Sequence, residues 1–118
     1  MINDIVTGLD RTLAALADPT RRRVVDLLRK GPRPAGELAA TAEMSGPAMS
    51  RHLRVLRASG LVEAENVAHD ARLRVYRLRP EPFHALQAWL GLVEEFWDDQ
   101  LGAFKAHLER TRPGKKER

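Results

Sequence analysis

The run Ser45-Gly46-Pro47-Ala48-Met49-Ser50-Arg51-His52-Leu53-Arg54-Val55-Leu56-Arg57-Ala58-Ser59-Gly60 decides how the rest of the chain is read. Ser45 is a favourable N-cap, and Pro47 suits the first turn, where no backbone donor is needed. Gly60 can take the left-handed conformation common after a helix end. Between these signals Met49, Leu53 and Leu56 fall four and three residues apart, so one face of the helix must be covered, with Val55 beside it. The opposite face carries Ala48 and Ser50 near the start and Arg51, Arg54 and Arg57 further on. Small residues followed by arginines form a face that can approach a polyanion closely and then grip it.

The flanking elements follow from the same rules. Upstream, a short helix at about 35–42 turns Leu38 and Ala39 inward, and Glu43-Met44 makes the turn into the Ser45 helix. Before it, Asp18 caps a helix with Pro19 in its first position and Val24, Leu27 and Leu28 on its buried face; Gly31-Pro32 ends it. Ile5, Leu9, Leu13 and Leu16 predict an amphipathic helix over 3–17. Downstream, 61–67 and 72–78 read as two strands joined by Ala68-His69-Asp70-Ala71 into a hairpin. Pro80-Glu81-Pro82 opens a long helix over 82–109, with apolar residues at steps of three or four: Phe83, Leu86, Leu90, Val93, Trp97, Leu101, Phe104 and Leu108. Trp89, Leu92 and Phe96 widen that stripe. No internal repeat is evident, and the charged run from Thr111 to Arg118, interrupted by Pro113-Gly114, is expected to be disordered. The expected organisation is one domain over 1–110 and a tail over 111–118.

This order, ααααββα, is mainly α with a small β-hairpin and fits a winged helix-turn-helix. In that plan a short helix packs across the next and holds its N-terminal half out into a major groove, while the hairpin reaches the flanking backbone. The expected DNA-facing residues are Ser45, Gly46, Pro47, Ala48, Ser50, Arg51, His52, Arg54 and Arg57 on the helix, with Arg72 and Arg74 on the wing. Ser50 and Arg51 lie nearest base edges; Arg54, Arg57 and the wing arginines are placed on phosphates. The charge supports the plan. The chain has a net charge of +4, but residues 20–79 hold 13 Lys/Arg against 6 Asp/Glu, whereas 1–19 and 80–118 are each slightly acidic. Of Arg21, Arg22 and Arg23, one is expected to brace the fold and one or two to meet phosphate.

At 118 residues the chain has room for one modest core. The stripe from Phe83 to Leu108 exceeds what that core can cover, so a homodimer is expected, with Ile5, Leu9, Leu13, Leu90, Val93, Trp97, Leu101 and Phe104 at the interface.

Leu16-Ala17-Asp18-Pro19-Thr20-Arg21-Arg22-Arg23 with Val24-Val25-Asp26-Leu27-Leu28, and above all Ser50 through Val62, closely resemble the signature helices of the ArsR/SmtB family. The wing segment Arg74-Val75-Tyr76-Arg77-Leu78 is also similar, so the resemblance covers about 10–80. It implies a homodimeric bacterial regulator, usually a repressor, whose first and last helices pair across a two-fold axis. Two residues depart from the pattern. Gly46 stands where the family often has Gln, removing a base-reading side chain, and Ala71 stands where many relatives have a wing-tip Gly.

Metal-sensing members use cysteines, or His and carboxylates across the last helices. This chain has no cysteine, which also excludes disulfides and thiolate sites. His84, Glu94, Glu95, Asp98, Asp99 and His107 are the remaining candidates, but Arg110 stands where the last-helix pattern requires an acid. The carboxylates therefore read as a solvated face, and no metal or cofactor is expected. His52 is expected to contact phosphate or pack, and His69 to be solvated. No Cys nucleophile, glycine-rich phosphate loop or HExxH pair is present, and Ser50 and His52, two apart, do not face each other on a helix. An enzyme is not expected. Without a signal peptide or an apolar run of membrane length, a cytoplasmic location is expected. The expected function is sequence-specific binding of double-stranded DNA as a regulator, a repressor as the family resemblance implies, on an inverted-repeat operator, with effector unknown. The competing readings are a winged-helix module for protein partners and a nickel or zinc regulator with a His/carboxylate site at the dimer interface.

Overall fold

The computed structural model describes residues 2–67 and 70–111, with side chains described for 8–67 and 73–111. The elements are α1 (Ile2–Leu16), α2 (Pro19–Arg29), β1 (Arg33–Pro34), α3 (Ala35–Thr41), α4 (Gly46–Ala58), β2 (Val62–Val67), β3 (Asp70–Leu78) and α5 (Pro80–Thr111). The chain divides into two units, 1–86 and 87–118.

Caps and stops set the boundaries of the first unit. Asp18 accepts hydrogen bonds from the amides of Thr20 (2.8 Å) and Arg21 (3.1 Å), satisfying donors that open α2. Ser45 Oγ accepts from the Ala48 amide at 3.2 Å and opens α4. Gly31 and Gly60, at φ of 146° and 78°, turn the chain out of α2 and α4 in conformations that disfavour a Cβ. Glu43 takes the same left-handed region without being glycine, at φ 55°, in the turn between α3 and α4.

Val24, Leu28, Leu38, Ala39, Met49, Leu53, Leu56, Leu61 and Val62 form the core, closed by Ala15 and Tyr76. Leu27 and Phe83 are half-buried against it. The fully buried Met49, Leu53 and Leu56 are the stripe expected of α4, and Leu38 and Ala39 of α3 lie inward as expected.

Several boundaries and faces differ from expectation. The hairpin is part of a three-stranded antiparallel sheet in the order β1-β3-β2. Arg33 and Pro34 pair with Tyr76 and Val75, a strand too short to carry any periodicity of its own. Asp70 and Ala71 belong to β3 rather than to the loop, and the β2–β3 register steps at Asn66/Val67. Ala68 and His69 lie outside the described residues. In α1, Thr12 and Ala15 face inward while Leu13 is 40% exposed. Small residues let α1 approach the core closely, and Thr12 satisfies its hydroxyl on the Gly8 carbonyl at 3.1 Å. The last helix extends from Pro80 through Thr111, so Thr111 is not part of a tail, and 112–118 lie outside the described residues.

The second unit is helical from Gln87 to Thr111. None of its described side chains is buried. Phe96 and Trp97 meet edge to face with centroids 5.7 Å apart. Among the described residues no helix is long and apolar enough to cross a membrane.

Candidate nucleic-acid interface

Burying Met49, Leu53 and Leu56 fixes the rotation of α4 about its axis and so determines what it displays. Ser45, Gly46, Pro47, Ser50, Arg51, Arg54 and Arg57 are exposed, and Ala48 and His52 are half-buried. Among the described residues, Arg51, Arg54 and Arg57 have neither an ion pair nor a side-chain hydrogen bond. Three like charges at intervals of three cost a helix on the order of 0.2–0.5 kcal/mol per close pair. Nothing among the described residues offsets that cost.

The other arginines of the basic segment whose side chains are described are engaged. Arg33 pairs with Glu37 at 2.6 Å, Arg77 with Glu65, and Arg79 with Glu81 at 3.5 Å. Each arginine of the Arg21–Arg23 triplet braces a neighbouring helix through part of its guanidinium. Arg21 donates from Nε to the Ala15 carbonyl (2.7 Å) and from Nη2 to that of Ala14 (3.3 Å). Arg22 donates to the Leu16 carbonyl (2.7 Å) and Arg23 to that of Thr41 (3.0 Å). These carbonyls close α1 and α3, where a helix end lacks donors and its dipole favours a cation. One of the triplet was expected to brace the fold; all three do so, each through bonds to the carbonyls of a neighbouring helix end.

On the wing, Arg74 is exposed and donates from Nε to Asn66 Oδ1 at 3.3 Å. The backbone of Arg72 lies in β3, but its side chain lies outside the described residues. Between α4 and β3 a cleft of about 510 Å³ brings Ser50, Arg54, Arg57 and Arg74 together against Ala58 and Tyr76. Three guanidiniums around one concavity make a place for an anion. Asn66 and Tyr76 were not singled out from sequence, because their roles depend on strand register.

The other flank of α4 faces α2. The Asp18 carboxyl is held below its usual value, chiefly by the Arg21 amide, then by the Thr20 amide and the charges of Arg21 and His52, against an opposing effect of burial. His52 is thus electrostatically linked to the cap of α2 and only half available to a ligand.

The residues expected at an interface between copies are also placed. Leu13, Leu90, Trp97, Leu101 and Phe104 are exposed, with Leu101 at 59% and Phe104 at 60%. Leu9 and Val93 are half-buried, and the side chain of Ile5 lies outside the described residues. Among the described residues no group of three or more His, Asp or Glu could hold a metal ion.

Comparison with known proteins agrees with this geometry. Residues 16–65 match a helix-turn-helix domain family. The chain is 41% identical over 95 residues to the HTH-type transcriptional regulator Rv2034 of Mycobacterium tuberculosis, covering 80% of this chain and 83% of that protein. It resembles the solved structure of the ArsR family transcriptional regulator RHA00566 with a TM-score of 0.68 and 34% identity, covering 81% of this chain and 93% of the other. A homodimeric winged helix-turn-helix DNA-binding domain from Mycobacterium bovis superposes with a TM-score of 0.63 and 26% identity, over 93% of this chain and 90% of that one. With the capped α4, its packed stripe and the wing beside it, these likenesses settle the lineage: the chain belongs to the ArsR family of helix-turn-helix transcriptional regulators.

Proposed function

We propose that this regulator works as a homodimeric repressor that reads an inverted-repeat DNA operator through α4 and acts by binding rather than by catalysis, in the cytoplasm. The observation that carries the reading is the row of guanidiniums on α4, Arg51, Arg54 and Arg57, unpartnered among the described residues and displayed by a helix whose opposite face is packed. Ser45 through Ala48 bring the backbone close to the groove, and Ser50 and Arg51 reach base edges. Arg54, Arg57, Arg74 and Arg72 meet phosphates on either side of the wing cleft, and His52 supports the helix from its α2 flank.

The dimer rests on the exposed or half-buried apolar residues of α1 (Leu9, Leu13, with Ile5 in the same row) and of α5 (Leu90, Val93, Trp97, Leu101, Phe104), each paired with a second copy. Two α4 helices related by a two-fold would then lie about 34 Å apart, one turn of duplex. No resident metal or thiolate sensor enters this reading; Arg110 breaks the acid pattern after His107.

Selection from random duplexes tests it. The expected product is an imperfect inverted repeat with half-sites about one helical turn apart. On that operator Arg51→Ala should cost on the order of 1–3 kcal/mol while barely changing affinity for random DNA. Arg74→Ala should weaken both alike and lower the salt slope by about 0.9 per phosphate, nearly two per dimer. Selection that enriches no sequence, or Arg74→Ala abolishing preference while Arg51→Ala changes nothing, would overturn the assignment.

A further inference from the structure

A second concavity lies between α1 and α4 and shares only Ala58 with the wing cleft. It has a volume of about 560 Å³, within the usual range for small-molecule pockets. Ala14 and Ala15 of α1 and Val55 and Ala58 of α4 give it an apolar floor, flanked by Arg11 and Arg21. Val55 is 40% exposed there, an apolar side chain left open on the element that reads DNA.

We infer that this groove binds a free organic carboxylate with an apolar body, one per protomer, and that the bound anion weakens operator binding. Charge complementarity identifies the occupant. Both charged groups lining the groove are guanidiniums and no acid lines it; the one other polar lining residue, Ser59, donates its hydroxyl to the Val55 carbonyl, and the alanines and Val55 offer nothing to a hydrated phosphate. Arg21 is held by two carbonyls through Nε and Nη2, which leaves Nη1 without a hydrogen bond among the described residues and already oriented, the condition under which a guanidinium grips a carboxylate at least entropic cost. Asp18 is close enough to Arg21 to feel its charge, but it is engaged in capping α2. Arg11 is exposed and has no ion pair or hydrogen bond among the described residues.

Dimer formation leaves the groove open. At 3.6 residues per turn, Arg11 lies about 160° around α1 from both Leu9 and Leu13, so a partner covering those leucines faces the other way. The coupling to DNA follows from position. An occupant touching Val55 and Ala58 sets a negative charge beside the helix that must approach phosphates, so its affinity differs between free and DNA-bound protein. This consequence rests on the proposed operator binding; the site itself does not.

Titration of the full chain with decanoate, decanol and decylammonium, first without DNA, tests the site. Decanoate should saturate at one per protomer below about 1 mM, a modest but specific affinity. Arg11→Glu and Ala14→Trp, both at exposed positions, should each weaken it at least tenfold with the thermal melt unchanged, and decylammonium should not bind. Decanol binding as well as decanoate, no saturation in that range, or full affinity in both variants would overturn the site. Saturating decanoate should then lower affinity for the selected operator at least threefold in the native protein and not in Ala14→Trp. Binding without that loss overturns the coupling alone. A chain that selects no operator overturns the proposed function and leaves the DNA-free titration to decide the site.

Discussion

Two apolar stripes with the same helical spacing meet opposite fates in this molecule. Met49, Leu53 and Leu56 on α4 are at most 1% exposed, whereas Leu90, Trp97, Leu101, Phe104 and Leu108 on α5 are 48–60% exposed. The arginines divide similarly. Arg21, Arg22 and Arg23 close the ends of neighbouring helices, while Arg51, Arg54 and Arg57 have no partner among the described residues. Spacing and residue type state that a face needs a complement. They do not state whether the same chain supplies it.

The hardest way to break the comparison is to disrupt each stripe in turn. Leu101→Glu with Phe104→Glu should leave the melting of the first unit's core intact but yield monomers by sedimentation. Operator affinity should then fall on the order of 10²–10⁴-fold as two linked half-sites become independent. Leu53→Ala should instead cost about 2–5 kcal/mol of folding stability, because the cavity it leaves lies in a close-packed core. A native protein that sediments as a monomer at micromolar concentration would remove the distinction drawn for α5.

The arginines give a smaller and sharper test. Arg23→Ala removes a charged donor from the Thr41 carbonyl and should cost roughly 1 kcal/mol of stability, since that acceptor is exposed to water. It should not change the salt slope of DNA binding. Arg54→Ala should do the reverse, with stability unchanged or raised by a few tenths of a kcal/mol as like-charge repulsion is relieved. A salt slope that falls in both variants would show that the bracing set also meets DNA.

Which of these assignments could be read from sequence follows from range. Ser45, Pro47 and Gly60 act within a few residues of themselves, and α4 appears with the cap and packed face its sequence implies. Asp18 and Pro19 fix the start of α2 in the same way. That all three arginines of the triplet brace was not legible, because their acceptors are carbonyls six to eighteen residues away. β1 was missed because two residues form a strand only when β3 supplies the partner. Thr12 and Ala15 were passed over in α1 in favour of bulkier leucines, although small residues are what close helix packing requires.

The two caps extend the comparison to pH. Asp18 and Ser45 hold α2 and α4 by the same geometry, but only one titrates. The Asp18 carboxyl lies below its ordinary 3.8 in the folded protein, chiefly because the Arg21 amide donates to the charged form. Its contribution is therefore fully present above 3.8 and is lost as pH falls through the lower folded value. Asp18→Asn should flatten the acid limb of the stability profile, while Ser45→Ala should cost about 1 kcal/mol at every pH. An acid limb unchanged in Asp18→Asn would place its origin in other carboxylates.

The smallest expected effect lies in the turn that joins α3 to α4. Glu43 sits at φ 55°, a conformation that costs an L-residue roughly 1–2 kcal/mol and glycine almost nothing. Glycine also loosens the unfolded chain, which returns about 0.4–1 kcal/mol of that gain. Glu43→Gly should thus raise stability by roughly 0.5 kcal/mol, a shift of about 2 °C in Tm. Glu43 is exposed and has no ion pair among the described residues, so operator affinity should rise slightly at most, through loss of one negative charge near the DNA-facing helix. A fall in stability would mean that the carboxylate makes a compensating interaction in solution. A fall in operator affinity at unchanged stability would mean that the rigid turn, and not only the packed stripe, fixes the pose in which α4 presents Arg51 and Arg54.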